Sequence, residues 1–162
     1  MEAAHNIRSI VQNDNAGIAR IIRACLKEFG ADKPGTVYYD ESTDRLYELF
    51  REKGSAYFVA EQNGTLLGGG GIFPSAGLPE GTCELVKMYL LQQARGKGIG
   101  AALMNRCLET AKQMGFNTVY IETLVELDRA IQVYEKFGFK KLSGPLGNTG
   151  HFGCDIWMTK SL

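Results

Sequence analysis

One glycine-rich segment limits the possible folds of this chain more than any other feature. Residues 95–100 read Arg-Gly-Lys-Gly-Ile-Gly, and they lie between a predicted strand over 82–91 and a predicted helix over 99–114. The helix is indicated by apolar residues along one stripe and by Gly115 at its end. Another strand is predicted over 117–123, where Val, Tyr and Ile favour sheets. A strand, a helix and a strand in this order form a right-handed crossover, so the two strands are expected to be parallel.

The rest of the chain predicts a mixed α/β fold. Strands over 55–62 and 65–73 flank the dipeptide Asn63-Gly64, which a two-residue hairpin turn prefers. With the strand over 82–91 they form an antiparallel meander. The other predicted elements are a strand over 6–11, a helix capped at 13–15 and stopped by Gly30, helices over 44–53 and 128–137, and closing strands over 139–142 and 152–159. We see no linker or internal repeat, so a single domain over 1–162 is expected.

The loop at 95–100 is suited to an anion. Backbone N–H groups at the start of a helix lack partners within the helix, and the helix dipole adds positive potential there. Arg95 and Lys97 add two positive charges beside glycines that leave the backbone accessible. Pyrophosphate is therefore the predicted ligand. The alternative is a tight strand-to-helix turn with incidental basic residues.

A dinucleotide-binding loop is another interpretation of the same residues. Gly96, Gly98 and Ala101 satisfy the fingerprint G-x-G-x-x-G/A, and Glu122 follows at about the ~20 residues expected of a ribose-binding acid. The loop, however, follows an antiparallel meander rather than a first strand. Too little chain remains after Gly100 for a second mononucleotide-binding half. A dinucleotide-dependent oxidoreductase is therefore the least favoured function.

Composition and charge argue against several other classes. The chain has 18 basic and 18 acidic residues, whereas a nucleic-acid-binding domain usually has a basic excess. Four cysteines without a C-x-x-C pair and only two histidines predict no metal site. No apolar run approaches the ~20 residues needed to span a bilayer, and the N-terminus does not resemble a signal peptide. We therefore expect a cytoplasmic protein with no membrane or nucleic-acid partner.

Two further glycine clusters need a different explanation. The run from Gly68 to Gly71 lies inside a predicted strand, where we expect close packing of a helix on the sheet. The second cluster recurs at every third position in a predicted loop, and it comprises Gly144, Gly147, Gly150 and Gly153. Such a loop can border a substrate pocket, because functional residues are common on loops.

Two more segments carry recognisable motifs. Residues 83–91 read Cys-Glu-Leu-Val-Lys-Met-Tyr-Leu-Leu, and residues 130–139 read Ala-Ile-Gln-Val-Tyr-Glu-Lys-Phe-Gly-Phe. With the loop at 95–100, which meets the signature Q/R-x-x-G-x-G/A, they resemble the GNAT superfamily of acyl-CoA-dependent N-acetyltransferases. The predicted element order is similar to the family fold over almost the whole chain. The resemblance implies a mixed, mostly antiparallel sheet of about seven strands flanked by about four helices.

The resemblance also implies the ligands. Acetyl-CoA would be the donor and an amine, on a small molecule or a peptide, the acceptor. The loop amides would hold the pyrophosphate, and the fourth strand would pair with the pantetheine arm beside a bulge that opens the sheet. The implied donor-binding residues are Met88, Tyr89, Leu90, Arg95, Gly96, Lys97, Gly98, Ile99, Gly100 and Ala101.

Two proton movements complete the implied chemistry. An alkyl ammonium must lose a proton before it can attack, and Glu84 matches a family general base, acting directly or through water. The alternatives are an edge-of-sheet glutamate that faces solvent or pairs with Lys87, and Glu122 as the base instead. Tyr134 matches the tyrosine that protonates or hydrogen-bonds the departing sulfur; its alternative role is core packing.

Some features stay open at the sequence level. Leu127 stands where the family often has Asn, which leaves the donor contacts of that helix open. The acceptor would be set by residues 28–45, 74–81 and 143–152, which include Asp40 and His151. A non-catalytic acyl-CoA-binding sensor is the alternative function. Family members often dimerise, so a homodimer is possible.

Overall fold

The computed structural model describes residues 4–162 and contains one seven-stranded sheet. The strand order is β1-β2-β3-β4-β5-β7-β6. The strands are β1 (Asn6–Ser9), β2 (Ala56–Gln62), β3 (Thr65–Phe73), β4 (Thr82–Leu90), β5 (Thr118–Thr123), β6 (Lys140–Lys141) and β7 (Ile156–Ser161). The helices are α1 (Asn15–Glu28), α2 (Leu46–Leu49), α3 (Ile99–Gln113) and α4 (Asp128–Lys136). This confirms the predicted mixed fold with about seven strands and four helices.

Most neighbouring strands of the sheet are antiparallel. The β2–β3 and β3–β4 pairs are antiparallel, and the β5–β7 pair is antiparallel as well. β4 and β5 are parallel, as predicted, because α3 carries the chain back across the sheet between them. The sheet is therefore mostly antiparallel, with a parallel pair at its centre.

Helices pack on both faces of the sheet. Alternate residues of β2 point to opposite sides, since side chains alternate along a strand. Phe58 and Ala60 join a core cluster with α3 and α4, whereas Tyr57 and Val59 join a second cluster with α1. Buried faces on both sides explain why the central strands are almost uniformly apolar rather than alternating.

Two predicted elements differ most from the structure in their bounds. The helix predicted over 44–53 is confined to Leu46–Leu49, because Arg45 has a non-helical backbone (φ −138°, ψ 46°). The strand predicted over 152–159 begins at Ile156. The Gly153 N–H donates to the Gly35 carbonyl at 3.0 Å, so Gly153 pairs with a loop instead of with β5.

The glycine run in β3 allows close approach of the neighbouring strands. A Cβ at Gly69 would lie 2.6 Å from the Phe58 carbonyl oxygen, and one at Gly70 would lie 2.6 Å from the Met88 side chain. The neighbours are thus residues of β2 and β4, rather than the helix expected from the sequence. Glycine is required here because the adjacent strands leave no room for side chains.

A bulge in β4 opens the centre of the sheet. Gly69 is opposite Tyr89 and Gly71 is opposite Val86, so two residues of β4, Lys87 and Met88, face Gly70 alone. Lys87 has a positive φ of 52°, which is unusual for a residue with a side chain. Pairing with β5 ends at Glu84, opposite Tyr120. Beyond Glu84 the two parallel strands separate.

Candidate active site

A cavity of about 530 Å³ occupies the opening between β4 and β5. Most of the residues predicted to bind the donor line it, as do both predicted catalytic residues. These lining residues are Glu84, Met88, Tyr89, Leu90, Arg95, Gly96, Gly98, Gly100, Ala101 and Tyr134. Ile99 instead points into the core and is 2% exposed. Lys97 is not among the lining residues.

The glycine loop presents open backbone at the start of α3. Gly96 and Gly98 have φ values of 75° and 80°, a region that side chains disfavour, and a Cβ at either would contact nothing. The first N–H groups of α3 have no acceptor within the helix. The loop thus has both open space and backbone N–H groups that can donate hydrogen bonds, as an anion-binding site requires.

The Arg95 side chain braces this loop against α1. Its guanidinium donates to the Glu28 carboxylate at 2.9 and 3.0 Å and to the Leu90 carbonyl at 2.9 and 3.1 Å. It also lies 5.0 Å from the centre of the Phe29 ring. The Arg95 charge is therefore largely matched by Glu28. Two cations that the sequence reasoning missed, Arg129 and Lys136, also line the cavity.

Glu84 is buried at the last β4–β5 register pair. It is 2% exposed, and the Ser75 hydroxyl donates to its Oε1 at 2.5 Å. Burial raises the pKa of Glu84 to about 7; the Ser75 hydrogen bond opposes this rise and the nearby Glu122 charge adds to it. A carboxyl group with this pKa can exchange a proton near neutral pH, as a general base must.

A chain of charged side chains adjoins Glu84. Asp40 Oδ2 lies 3.4 Å from Lys87 Nζ and 2.7 Å from His151 Nε2. On the other side of the ring, His151 Nδ1 lies 3.6 Å from Glu122 Oε2. Burial lowers the pKa of His151, but the two carboxylates outweigh it and raise the value to about 9. His151 is therefore a cation at neutral pH.

Hydroxyl groups hold Glu122 in this arrangement. The Tyr120 hydroxyl donates to Glu122 Oε1 at 2.8 Å, and the Thr149 hydroxyl donates to Oε2. These bonds and His151 keep the pKa of Glu122 below its ordinary value despite burial. Glu122 thus stays ionised near pH 7. It is a poorer proton acceptor at that pH than Glu84, although the two were alternative bases from the sequence.

Glu84, Glu122 and His151 place three potential metal ligands within 4.8 Å of one another. Each already has a partner: Ser75 for Glu84, Tyr120 and Thr149 for Glu122, and Asp40 for His151. Hydrogen bonds and ion pairs therefore explain why these three side chains lie close together. The sequence predicts no metal here, and that stays a prediction.

Tyr134 faces the same cavity from α4. Its ring is 8% exposed and packs edge-on against Phe139, with 6.0 Å between centroids. Burial raises the pKa of Tyr134 to about 12, so the phenol retains its proton at neutral pH. Core packing and a catalytic role are thus compatible at this position. Leu127, just before α4, lines the cavity as well.

Sequence comparison shows the family of this chain. A model of the acetyltransferase (GNAT) family matches residues 18–139. The chain belongs to the GNAT family. It is 42% identical over 158 residues to the uncharacterised N-acetyltransferase YjgM of Escherichia coli (strain K12), and the match covers 96% of this chain and 94% of that protein. The chain is accordingly an acetyltransferase.

Solved structures show the same GNAT fold. An acetyltransferase of the GNAT family from Staphylococcus aureus Mu50 superposes with a TM-score of 0.85 at 19% identity, covering 98% of this chain and 99% of that one. The PaiA N-acetyltransferase of Thermoplasma acidophilum, solved in complex with coenzyme A, gives 0.75 at 21% identity with 98% and 99% coverage. At these identities the likeness concerns the fold.

The glycine cluster at residues 144–153 of this GNAT chain borders the site. Gly147 has a φ of 65°, and a Cβ there would lie 2.7 Å from the Ala76 carbonyl oxygen. The adjacent Asn148 N–H donates to that oxygen at 2.8 Å. This close approach fixes the loop that carries Thr149 and His151. The sequence indicated a loop beside a pocket, but it gave no signal for Ser75 or Thr149.

In the part of the chain that the structure describes, no helix is long and apolar enough to cross a membrane.

Proposed function

We propose that this acetyltransferase transfers the acetyl group of acetyl-CoA to an amine by direct attack in a ternary complex. The observation that carries the proposal is the position of Glu84. It lines the large cavity and also a second cavity of about 270 Å³, which shares four lining residues with the first. A base at that junction can reach an amine in the smaller cavity and a thioester in the larger one.

Acetyl-CoA is proposed to occupy the larger cavity. The amides of the loop from Arg95 to Ala101 would bind the pyrophosphate, and β4 from Met88 to Leu90 would pair with the pantetheine arm. The bulge supports this arrangement, because it leaves backbone groups without ladder partners beside the opening. One of these N–H groups can stabilise the oxyanion that forms on the thioester carbonyl.

The proton movements follow from the charge states. Ionised Glu84 accepts a proton from the ammonium, and the nitrogen lone pair then attacks the thioester carbon. A C–N bond forms, the C–S bond breaks, and the sulfur leaves as a thiolate. Tyr134 keeps its proton at neutral pH and can donate it to that sulfur. The second nitrogen proton restores the Tyr134 phenol, Glu84 releases its proton to solvent, and the products are an amide and CoA.

Ligand binding and turnover test the proposal separately. Acetyl-CoA at millimolar concentration should raise the melting temperature, and Gly98→Trp should abolish the rise by filling the space beside the loop. Thiol release with a panel of amines should then require both substrates. A melting temperature that does not respond to acetyl-CoA overturns the proposal. Binding without thiol release for any amine supports the non-catalytic sensor instead.

A further inference from the structure

The second cavity has one apolar wall and one charged end. Its wall is formed by Leu49, Phe50, Phe73 and Val86, and the rings of Phe50 and Phe73 meet edge-on with 5.7 Å between centroids. Four residues line both cavities: Glu84, Val86, Lys87 and His151. The charged end of the smaller cavity is therefore the end nearest the donor. An occupant would place its polar group there and its body against the aromatic wall.

The basic groups at that end are already matched by acids. Among the described residues that line the smaller cavity, the cationic side chains are Lys87 and His151. Lys87 is buried and pairs with Asp40, and His151 lies between Asp40 and Glu122. Two bases thus face two acids that stay ionised. Neither base is available to a carboxylate on the substrate unless one of these buried pairs breaks, which is strongly unfavourable.

Glu84 is the other acidic residue that lines the smaller cavity. Its hydrogen-bond partner is the neutral Ser75 hydroxyl, and it is 2% exposed. With Glu84 ionised, the five groups Asp40, Glu84, Lys87, Glu122 and His151 therefore carry a net charge of −1. A single ammonium group compensates that charge, and the pair becomes neutral once the proton has moved to Glu84.

We propose that the acceptor is a small primary amine with an apolar body and no carboxylate, in the class of aralkylamines and branched alkylamines. Its ammonium binds Glu84, and its body packs against Phe50 and Phe73. The cavity of about 270 Å³ fits such a molecule, whereas it is small for several residues of a peptide. This inference rests on the proposed function and assigns its second substrate.

The inference can be tested with pairs of amine substrates whose two members differ only by a carboxylate. The pairs are 2-phenylethylamine with L-phenylalanine, and 3-methylbutylamine with L-leucine. We expect kcat/KM to be at least about 100-fold higher for each amine, because a carboxylate would be desolvated without a partner. Equal or faster acetylation of the amino acids, or faster acetylation of a short peptide or putrescine in the same panel, overturns the inference and leaves the proposed function intact.

A variant of the wall gives an independent test. Phe73→Ala should raise KM for 2-phenylethylamine about 10-fold, while KM for ethylamine and for acetyl-CoA changes little, since neither contacts the ring. Val125→Ala is the control, because Val125 is exposed and lines neither cavity. Equal changes in KM for both amines with Phe73→Ala would contradict the assignment. Absence of thiol release with every amine would overturn the proposed function itself, and the inference with it.

Discussion

At the scale of single residues, neighbouring charges give the two glutamates different properties. Glu84 has one neutral hydrogen-bond partner, so burial dominates and its pKa rises to about 7. Glu122 has two hydroxyl donors and a histidine cation, so its pKa falls below the ordinary value. Environment therefore separates a proton acceptor from a fixed anion, although the two side chains are identical.

Glu84→Gln tests the acceptor role. The variant keeps the shape and loses the ability to take a proton, so kcat/KM should fall by about 10²–10⁴-fold. In the wild-type protein, kcat/KM should rise with pH through about 7, because only ionised Glu84 accepts the proton. The step near 7 should be missing from the pH profile of the variant. Glu122→Gln is the comparison, and an equal loss there would favour Glu122 as the base.

Tyr134→Phe tests the proton donor. The phenylalanine retains the ring contact with Phe139, so the melting temperature should stay within a few degrees of wild type. Loss of the hydroxyl should lower kcat roughly 10-fold or more, with little effect on KM for the amine. Wild-type kcat in the variant, measured by thiol release, would assign Tyr134 to core packing alone.

At the scale of elements, the site depends on two irregularities of the backbone. The bulge at Lys87 and Met88 separates β4 from β5, and the glycine loop turns the chain into α3. Both use positive φ values, 52° at Lys87 and 80° at Gly98. These local departures from regular structure create the opening and the row of amides beside it.

Gly98→Ala should weaken both stability and donor binding. A non-glycine residue with φ near 80° costs about 1–2 kcal/mol, and the added methyl group projects into the open space beside the loop. We expect the melting temperature to fall by roughly 2–6 °C and KM for acetyl-CoA to rise. Gly144→Ala is the matched control, since its Cβ also meets nothing and its φ is not positive. Similar losses in both variants would exclude a special role for the loop.

At the scale of the whole molecule, the ion-pair chain joins parts of the sequence that are far apart. Asp40 precedes α2, Lys87 lies in β4, Glu122 in β5, and His151 in the loop before β7. The contacts among them hold the 144–153 loop over the end of the sheet. The second cavity is therefore complete only when the segments of Asp40, Lys87 and His151, which line it, are in place.

The free energy of unfolding should depend on pH because of this chain of ion pairs. The folded pKa of His151 is raised from 6.5 to about 9, so its contribution is complete below pH 6.5 and is lost as pH rises through 9. Over this range the free energy of unfolding should fall by up to about 3 kcal/mol in the wild type. His151→Gln should flatten the decline, whereas His5→Gln at an exposed position should not. Parallel curves for wild type and His151→Gln, measured by urea unfolding, would contradict the assigned ion pairs.

The sequence predicted the order of most elements and, through the family resemblance, most of the site residues that line the larger cavity. Hydrophobic period, turn residues and glycine stops are local signals, and they identify α1, α3, α4 and the central strands. The short α2 and the late start of β7 escaped prediction. A non-helical backbone at Arg45 and a backbone bond between Gly153 and Gly35 override the local preferences there.

The sequence by itself determined the glycine loop, the crossover that makes β4 and β5 parallel, and the residues Glu84 and Tyr134 as candidates. The loop and the crossover follow from residue types and short spacings along the chain, whereas Glu84 and Tyr134 follow from the resemblance to the GNAT family. Only the tertiary structure decided that Glu84 rather than Glu122 carries the raised pKa, and that Asp40 and Glu122 balance the charges of Lys87 and His151. The physical reason is that burial and ion pairing depend on distances between residues remote in sequence, which folding alone fixes.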